Sequence, residues 1–451
     1  MKPRLFGSSG VRGLANIDIT STLAQRVGAA IATINEGGTT IIGWDPRITG
    51  PMFEAALTCG VNAAGGDVLQ IGLVPTPVLA WMINEIDAES GVAITASHNP
   101  PQYNGLKVFS GNGMSLTNEE QLRLEEILEN EKYKWTDWDR VGTVDEIYAI
   151  DPYVDMLVDS MEIDSEYRIG LDCFCGATSV LAPLAFREFP VEAKTINDVP
   201  NGLFPAGNPE PNEESLKRLG EYMKLTGCRI GFGFDGDGDR MMPVGSNGVI
   251  VNPDRVLAAY ASYVVKRNNG GTVVTHVGAS MNVDDMVEES GGKVVRTPVG
   301  DSFITEAMIK YKAVFGGEPV GAWVFPEYHM CPAGVLGSLK VLEALSDLDQ
   351  TLEEFIEATP SYPLSRAKLE CPNVKKSSTM NEVSKRYGEI FKDIESVSTV
   401  DGVRLNTSNG WALIRPSGTE PLIRITVEGR TRGDVEKIMD EAKHLVKQVI
   451  G

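Results

Sequence analysis

Short apolar runs alternate with stretches of helical spacing along most of this chain, and that alternation restricts it to layered α/β folds. Thr39 to Gly43, Gly66 to Gly72 and Gly91 to Thr95 read as strands. Met52 to Ala64, Pro77 to Ile86 and Asn118 to Asn130 read as helices, the last a Glu- and Leu-rich surface helix. The polar stretch Lys132 to Asp151 reads as the passage to a second unit. That unit opens with a helix near Pro152 to Met161 and the strand Arg168 to Asp172, and ends with a hairpin-like segment, Met241 to Val251. A third unit runs helix Pro253 to Lys266, strand Gly271 to His276, helix Asn282 to Glu289, strand Gly292 to Arg296, helix Ser302 to Lys310 and the run Ala313 to Phe315. After the Ser361-Tyr362-Pro363 break, a smaller unit closes with a helix from Gly433 to Val449. Length alone implies roughly three domains; these breaks divide the chain at 1–150, 151–251, 252–363 and 364–451. Gly65-Gly66-Asp67-Val68 followed by Pro75-Thr76-Pro77 is faintly echoed by Gly291-Gly292-Lys293-Val294 followed by Thr297-Pro298.

Composition narrows the class. The chain has 451 residues, 42% of them apolar, enough for full cores, and no apolar stretch approaches a membrane span. Its 41 basic against 62 acidic residues give a net charge of −21, which argues against nucleic acid and anionic membranes as partners. Six cysteines stand at irregular positions, and Cys173 and Cys175 are too close for a redox C-x-x-C. With no charged segment and apolar core marking an export signal, reduced thiols in the cytoplasm are the expectation.

Four motifs carry chemistry. The run Val92 to Ile94 ends abruptly in Thr95-Ala96-Ser97-His98-Asn99-Pro100, which delivers a hydroxyl and an imidazole to a loop at a strand's carboxyl end. Ligands of open α/β sheets gather there, so Ser97 stands where a nucleophile or phosphoryl carrier would. A strand followed by an ordinary turn accounts for the same residues without chemistry. In Gly231 to Arg240, Asp235, Asp237 and Asp239 alternate with glycines, which let the backbone fold tightly so that carboxylates converge on one hard cation. An EF-hand is excluded, because its sixth position would be Arg240 rather than Gly and its twelfth Ser246 rather than Glu. Three carboxylates suit Mg2+ completed by a phosphate oxygen or water; a solvated acidic turn is the alternative. Arg415-Pro416-Ser417-Gly418-Thr419, with Arg424, brackets a hydroxyl-rich glycine turn with guanidinium groups, a phosphate nest without the Lys of a Walker A loop, or else a plain turn. The glycine-rich segment Phe6 to Gly13 brings Arg12, a weak signal by itself.

In that order, with Tyr103-Asn104-Gly105-Leu106-Lys107 following the serine motif and Gly317 to Gly321 before the last one, the chain resembles the α-D-phosphohexomutase superfamily over essentially its whole length. The resemblance implies an α/β fold of four domains: three similar mixed-sheet domains and a smaller α+β C-terminal domain around a central cleft. It also implies a reaction. Ser97 would carry a phosphoryl group, give it to a hexose phosphate to form a hexose 1,6-bisphosphate, and recover the other phosphate. Asp235, Asp237 and Asp239, with a phosphate oxygen on Ser97, would hold Mg2+, and Arg240 and Arg12 would add positive charge. Lys107 would be the proton-transfer partner, its pKa lowered by surrounding cations. His98 would take part in catalysis or support the loop. Arg415, Ser417, Gly418, Thr419 and Arg424 would hold the phosphate that does not react.

The sugar loop departs from the family pattern. Gly317-Glu318-Pro319-Val320-Gly321-Ala322 keeps the glutamate for sugar hydroxyls, but Val320 replaces a serine and Ala322 a frequent histidine. His329 is either a replacement sugar donor or a structural histidine beside Tyr328. Gly-Glu-Pro-x-Gly-Ala-Trp with the later His-x-Cys-Pro is similar to archaeal phosphoglucosamine mutases, as is Val299-Gly300-Asp301, although Pro298 stands where a lysine is usual. Trp44, in Gly43-Trp44-Asp45-Pro46-Arg47, replaces a frequent arginine. A small phosphosugar, glucosamine 6-phosphate, is thus the expected substrate, with phosphomannomutase/phosphoglucomutase as the nearest alternative. A metal-dependent phosphatase and a non-catalytic binding member are the rivals from other classes.

Overall fold

The structure, a computed structural model, describes residues 5–7, 10–417 and 420–450. Four sheets follow one another along the chain. The first contains β1 (Val11–Leu14), β2 (Thr39–Trp44), β3 (Asp67–Leu73), β4 (Ser90–Ile94), β5 (Tyr103–Ser110) and β6 (Val144–Glu146), in the order β1-β5-β4-β2-β3-β6. The second holds β7 (Tyr167–Asp172), β8 (Val191–Ile196), β9 (Ile230–Phe234) and β10 (Met241–Val244), ordered β10-β9-β7-β8. The third holds β11 (Gly271–His276), β12 (Gly292–Thr297), β13 (Phe315–Gly317) and β14 (Trp323–Val324), ordered β12-β11-β13-β14.

One pattern recurs in all three. A central strand (β2, β7, β11) pairs in parallel with the next strand on one side and the one after on the other, and a fourth strand closes antiparallel. The sequence echo falls at matching places: Gly65 and Gly291 lie just before β3 and β12, and both have φ of 83°, a conformation that glycine adopts without a Cβ penalty. The strands that end at the serine and aspartate motifs, β4 and β9, are buried along their whole length. Parallel strands covered on both faces must be apolar throughout, which is why they read as continuous runs rather than alternations.

The fourth sheet is antiparallel: β15 (Leu364–Glu370), β16 (Ile394–Ser398), β17 (Val403–Thr407), β18 (Gly410–Pro416) and β19 (Leu422–Gly429), ordered β15-β19-β18-β17-β16. Ile423, Ile425 and Val427 alternate inward and meet the helix Arg432–Ile450, which buries Val435, Ile438, Met439, Ala442, Leu445 and Val446 at helical spacing. This domain has its own core. By contrast, one core runs through the first three domains, from Trp81 and Tyr153 through Phe232 and Phe234 to Tyr260, Phe315 and Trp323. The Tyr260 ring stacks on Trp323 at 5.0 Å and meets Phe315 edge-on at 5.1 Å.

Several segments differ from the sequence reading. Lys132 to Asp151 is more than a passage, since β6 returns to pair with β3 and Ile150 already begins the next helix. Met241 to Val244 also pairs with β9 across the aspartate loop, while the hairpin-like segment 241–251 closes through the Val244–Ile250 bridge, with Gly245 N donating to the Val249 carbonyl and Val251 N to that of Pro243. Helix Gly334–Leu348 went unread in the sequence; Val335, Leu336, Leu339, Val341, Leu342 and Leu345 bury most of it, and its charged residues are confined to Lys340, Glu343 and Asp347 towards its C-terminal end. No helix among the described residues is long and apolar enough to cross a membrane.

Phe232 is fully buried in β9, the strand that delivers the aspartate loop. Phe232→Ala is expected to cost roughly 3–5 kcal/mol, read as a lowered urea midpoint of unfolding.

Candidate functional site

The loops after β4, β9 and β13 occupy equivalent positions in the three repeated domains, and they carry the three motifs: Thr95 to Pro100, Asp235 to Asp239, and the Glu318 turn. Ser97 is buried, with φ of 50°, and its Oγ donates to Asp235 Oδ2 at 2.6 Å across the boundary between the first two domains. His98 Nδ1 lies 3.2 Å from the same Oγ. Burial, then Arg240 and Arg12, push the His98 pKa down, so its ring is neutral at pH 7.

Asp235, Asp237 and Asp239 converge, with one carboxylate oxygen of each lying within 4.8 Å of the others. Thr76 Oγ1 donates to Asp237 Oδ2, and Lys107 Nζ to Asp239 Oδ2, both at 2.7 Å. The second oxygens, Asp237 Oδ1 and Asp239 Oδ1, are buried without a hydrogen-bond partner. Buried carboxylate oxygens without donors are the arrangement a hard divalent cation satisfies, so these residues fit Mg2+. Burial, compounded by Asp239 and Asp237, raises the Asp235 pKa well above the carboxylate range. Burial acts on Asp239 in the same sense, but Lys107 and Arg240 outweigh it and hold Asp239 low.

Lys107 corrects an expectation. Its neighbours are carboxylates rather than a crowd of cations: Asp239 at 2.7 Å and Asp301, from the third domain, at 3.4 Å. Burial opposes the ammonium, yet Asp239 and Asp301 overcome it and raise the pKa well above the usual lysine value. Arg12 on β1 and Arg240 beside the triplet each have a buried Nε that makes no hydrogen bond among the described residues, that of Arg240 standing 3.7 Å from Asp239 Oδ1. Both guanidinium groups act on His98 and Asp239, so they face the same pocket from two different domains.

Glu318 is buried at the turn after β13, where Gly300 N donates to its Oε1 at 3.1 Å and His276 Nε2 stands 4.0 Å away. Burial and then Asp301 raise its pKa to about 7. Val320 sits at the exposed tip of this turn and Ala322 beneath it is buried, so neither offers a polar atom to a sugar. His329 is a second correction. It is 2% exposed, its Nε2 bonds the Tyr153 hydroxyl at 3.0 Å, and burial lowers its pKa to about 4. A bridge between Phe325 and His329 folds it into the shared core, so it is a structural histidine and not a sugar donor.

In the fourth domain, Arg415 and Arg424 stand opposite each other on β18 and β19 and therefore share a face of the sheet. Arg415 binds Asp401 through two bonds, Nε to Oδ1 at 3.1 Å and Nη2 to Oδ2 at 2.6 Å, while Arg424 pairs with Glu420 at 2.7 Å. Ser417 is buried; its Oγ accepts from Glu420 N and its carbonyl from Lys376 Nζ. Gly418 and Thr419 lie outside the described residues. Asp401 Oδ2 also accepts from Val299 N at 3.3 Å, two residues from Asp301. A line of contacts thus runs from Ser97 through the aspartates and Lys107 to Asp301, and from that loop to Arg415. Sequence reasoning missed Asp301 and Asp401, whose only signals were a Val-Gly-Asp and an Asp-Gly turn.

A serine beside a carboxylate triplet, with arginines around it and a basic face on a separate domain, is the equipment of phosphoryl transfer on a small anionic substrate. Comparison with known proteins agrees. Models of the phosphoglucomutase/phosphomannomutase family match the chain domain by domain: alpha/beta/alpha domain I at residues 3–135, II at 151–248, III at 252–362, and the C-terminal domain at 367–445. The chain belongs to this family, within the α-D-phosphohexomutase superfamily. It is a phosphohexomutase, an enzyme that interconverts hexose phosphate isomers. It is 39% identical over 447 residues to a probable phosphoglucosamine mutase of Pyrococcus abyssi, covering 99% of this chain and 98% of that one. A relative described in the same words from Methanobrevibacter smithii is 38% identical, covering 99% of both chains. Among solved structures, a phosphoglucomutase/phosphomannomutase family protein of Burkholderia thailandensis superposes with a TM-score of 0.89 at 26% identity, covering 99% of this chain and 97% of that one.

The raised Glu318 pKa has a stability consequence. Its value in the folded state, about 7, exceeds the ordinary 4.5, so the folded protein binds this proton more tightly than the unfolded chain. The stabilisation is full below about pH 4.5 and is lost as pH rises through about 7. Compared with Glu318→Gln, the parent should lose on the order of 3 kcal/mol across that window, measured as the pH dependence of its unfolding free energy.

Proposed function

We propose that this phosphohexomutase interconverts glucosamine 6-phosphate and glucosamine 1-phosphate through a phosphoserine at Ser97 and a bound hexose 1,6-bisphosphate. The observation that carries the mechanism is the 2.6 Å contact of Ser97 Oγ with Asp235, inside a triplet that leaves two buried oxygens without a hydrogen bond among the described residues. Asp235, Asp237 and Asp239 would hold Mg2+, which supplies positive charge against the phosphoryl oxygens. Arg12 and Arg240 bring two more charges, each with a buried Nε that makes no hydrogen bond among the described residues.

In this reading the phosphoryl bond to Ser97 Oγ breaks as a bond to the sugar hydroxyl forms. The hydroxyl proton must leave, and Lys107, held by Asp239 and Asp301, is its partner. As the ammonium, the form its two carboxylates favour, it gives a proton to the oxygen that loses the phosphoryl group, Ser97 Oγ first, and recovers one from the hydroxyl that gains it. His98, neutral and touching Oγ, supports the loop and orients that oxygen. Arg415, Ser417, Gly418, Thr419 and Arg424 hold the other phosphate. A guanidinium reads a phosphate without reading what is attached to it, which suits a sugar that must be presented from either end.

The amino-sugar assignment is supported by relatives at 36–39% identity, each called a probable phosphoglucosamine mutase and matched over nearly its full length. Glu318, buried near the Asp301 carboxylate, offers an acceptor for a hydroxyl or ammonium group of the sugar. We assign the reaction to the cytoplasm, since all six cysteines are free thiols, five of them buried, as a reducing compartment allows.

Two measurements test this. In 31P NMR with Mg2+ and a trace of hexose 1,6-bisphosphate, the 1-phosphate signal should grow fastest from glucosamine 6-phosphate, and Ser97→Ala should abolish it. Faster growth from glucose or mannose 6-phosphate would overturn the sugar assignment, and release of inorganic phosphate alone would make the enzyme a phosphatase. Arg415→Ala should weaken binding of both phosphosugar isomers by about 1.5–3 kcal/mol, measured by calorimetry.

A further inference from the structure

The segment Gly43-Trp44-Asp45-Pro46-Arg47 runs from the last two residues of β2 into the loop beyond, and the transfer reaction gives it no task. Its arginine is nonetheless the most heavily engaged side chain near Ser97. Arg47 is 1% exposed, and a guanidinium has five N–H donors. All five are used. Nε donates to Asp45 Oδ2 at 2.9 Å, Nη1 to the carbonyls of Pro100 at 2.6 Å and Tyr103 at 2.9 Å, and Nη2 to those of Ser97 at 2.8 Å and Asn99 at 2.7 Å. Four carbonyls of one loop therefore point at one cation. Such dipoles repel one another unless a positive charge gathers them, so the shape of the loop depends on a residue fifty positions away.

These bonds also close a ring around the serine. Ser97 N donates to Thr95 Oγ1 at 2.8 Å, Thr95 Oγ1 to Asp45 Oδ2 at 2.6 Å, and that same oxygen accepts from Arg47 Nε, whose Nη2 returns to the Ser97 carbonyl. Both backbone polar groups of Ser97 are thereby held while its φ stands at 50°, a region that serine rarely adopts. That conformation is what carries Oγ to Asp235. The second domain seals the ring from water. The Phe204 ring lies 5.1 Å from the guanidinium carbon, and Gly202 packs so closely that a Cβ there would sit 2.2 Å from the Pro46 carbonyl oxygen. Away from water, such a network holds its members more firmly.

We infer that Arg47 is the positioning residue for phosphoryl transfer at Ser97. It touches no substrate, since it has no donor left to offer one. Acting with Asp45 and Thr95, it sets where the serine oxygen points. The inference rests on the reading of Ser97 as the phosphoryl carrier. Lysine cannot replace it, because three donors on a rotating ammonium cannot span four carbonyls and a carboxylate.

The test is steady-state kinetics of Arg47→Lys on phosphosugar, with phosphoserine formation from hexose 1,6-bisphosphate followed by intact mass and folding checked by circular dichroism. The expected result is a kcat lower by about 100-fold, the scale set by a 1 Å misplacement of a reacting group, with slowed phosphoserine formation and an unmoved KM. Folded Arg47→Lys with parental kcat, or with a raised KM and parental kcat, would overturn the inference. Thr95→Val and Thr95→Ser carry the same test if Arg47→Lys does not fold. The valine should lose rate and the serine, which keeps the hydroxyl, should recover most of it; equal rates would refute the ring. Ser97→Ala in the same assay separates the two ideas. Turnover in that variant would defeat the serine assignment, whereas an inactive Ser97→Ala beside a fast Arg47→Lys would defeat only the role of Arg47.

Discussion

A lysine ammonium buried away from water must have its charge answered, and Lys107 finds its carboxylates in two other domains. Asp239 comes from the second and Asp301 from the third. The cost of leaving such a charge unpaired runs to several kcal/mol, which makes the docking of three domains a condition for the site and not a consequence of it. The shared aromatic core supplies the apolar side of the same bargain, with Tyr260, Phe315 and Trp323 in the third domain continuous with Phe232 and Phe234 in the second. Charge and core converge on β9, whose carboxyl end presents Asp235.

The threefold use of one strand order explains how so few residues make a site. In each repeat the loop after the third strand of the pattern emerges at the same place, so the docking of three domains sets serine, aspartates and glutamate around one space. The loops after the central strands are equivalent too, and they act as braces. Asp45 Oδ1 accepts from the backbone N–H of Arg47, Asp172 Oδ1 from that of Phe174, and His276 Nδ1 from that of Gly278, each two residues on. In the first domain that brace has grown into the arginine ring around Ser97.

The fourth domain stands on a different footing. Its main core is separate, and its junction with the third domain combines hydrogen bonds with one apolar cluster: Arg404 donates to the carbonyls of Val277 and Ala279, Glu428 accepts from Met281 N, and Trp411 and Leu413 pack on Val277. A basic face carried on such a junction contributes to the cleft without being locked to it by a common core.

The motifs at strand ends were readable in the residues, and so was most of the α/β alternation, because a buried parallel strand must be apolar throughout and a loop at its end cannot be. Helix Asn118–Asn130 was legible to both termini through its Glu- and Leu-rich helical spacing, and in the structure a Thr117–Glu120 capping box starts it and Leu124 and Leu128 are buried. What escaped were interactions whose partners are far apart along the chain. His329 could have faced the sugar as easily as the core until Tyr153, 176 residues away, was seen to bind it. Lys107 was expected among cations and lies among carboxylates, which reverses the direction of its pKa. Arg47 had no role in the sequence reading, because its partners are the carbonyls of a loop fifty residues on. Local composition settles which residues are able to carry chemistry, since hydroxyl, carboxylate and guanidinium groups are visible as letters. The folded arrangement settles which of them do, because burial and the sign of the nearest charge depend on segments that meet only when the domains dock.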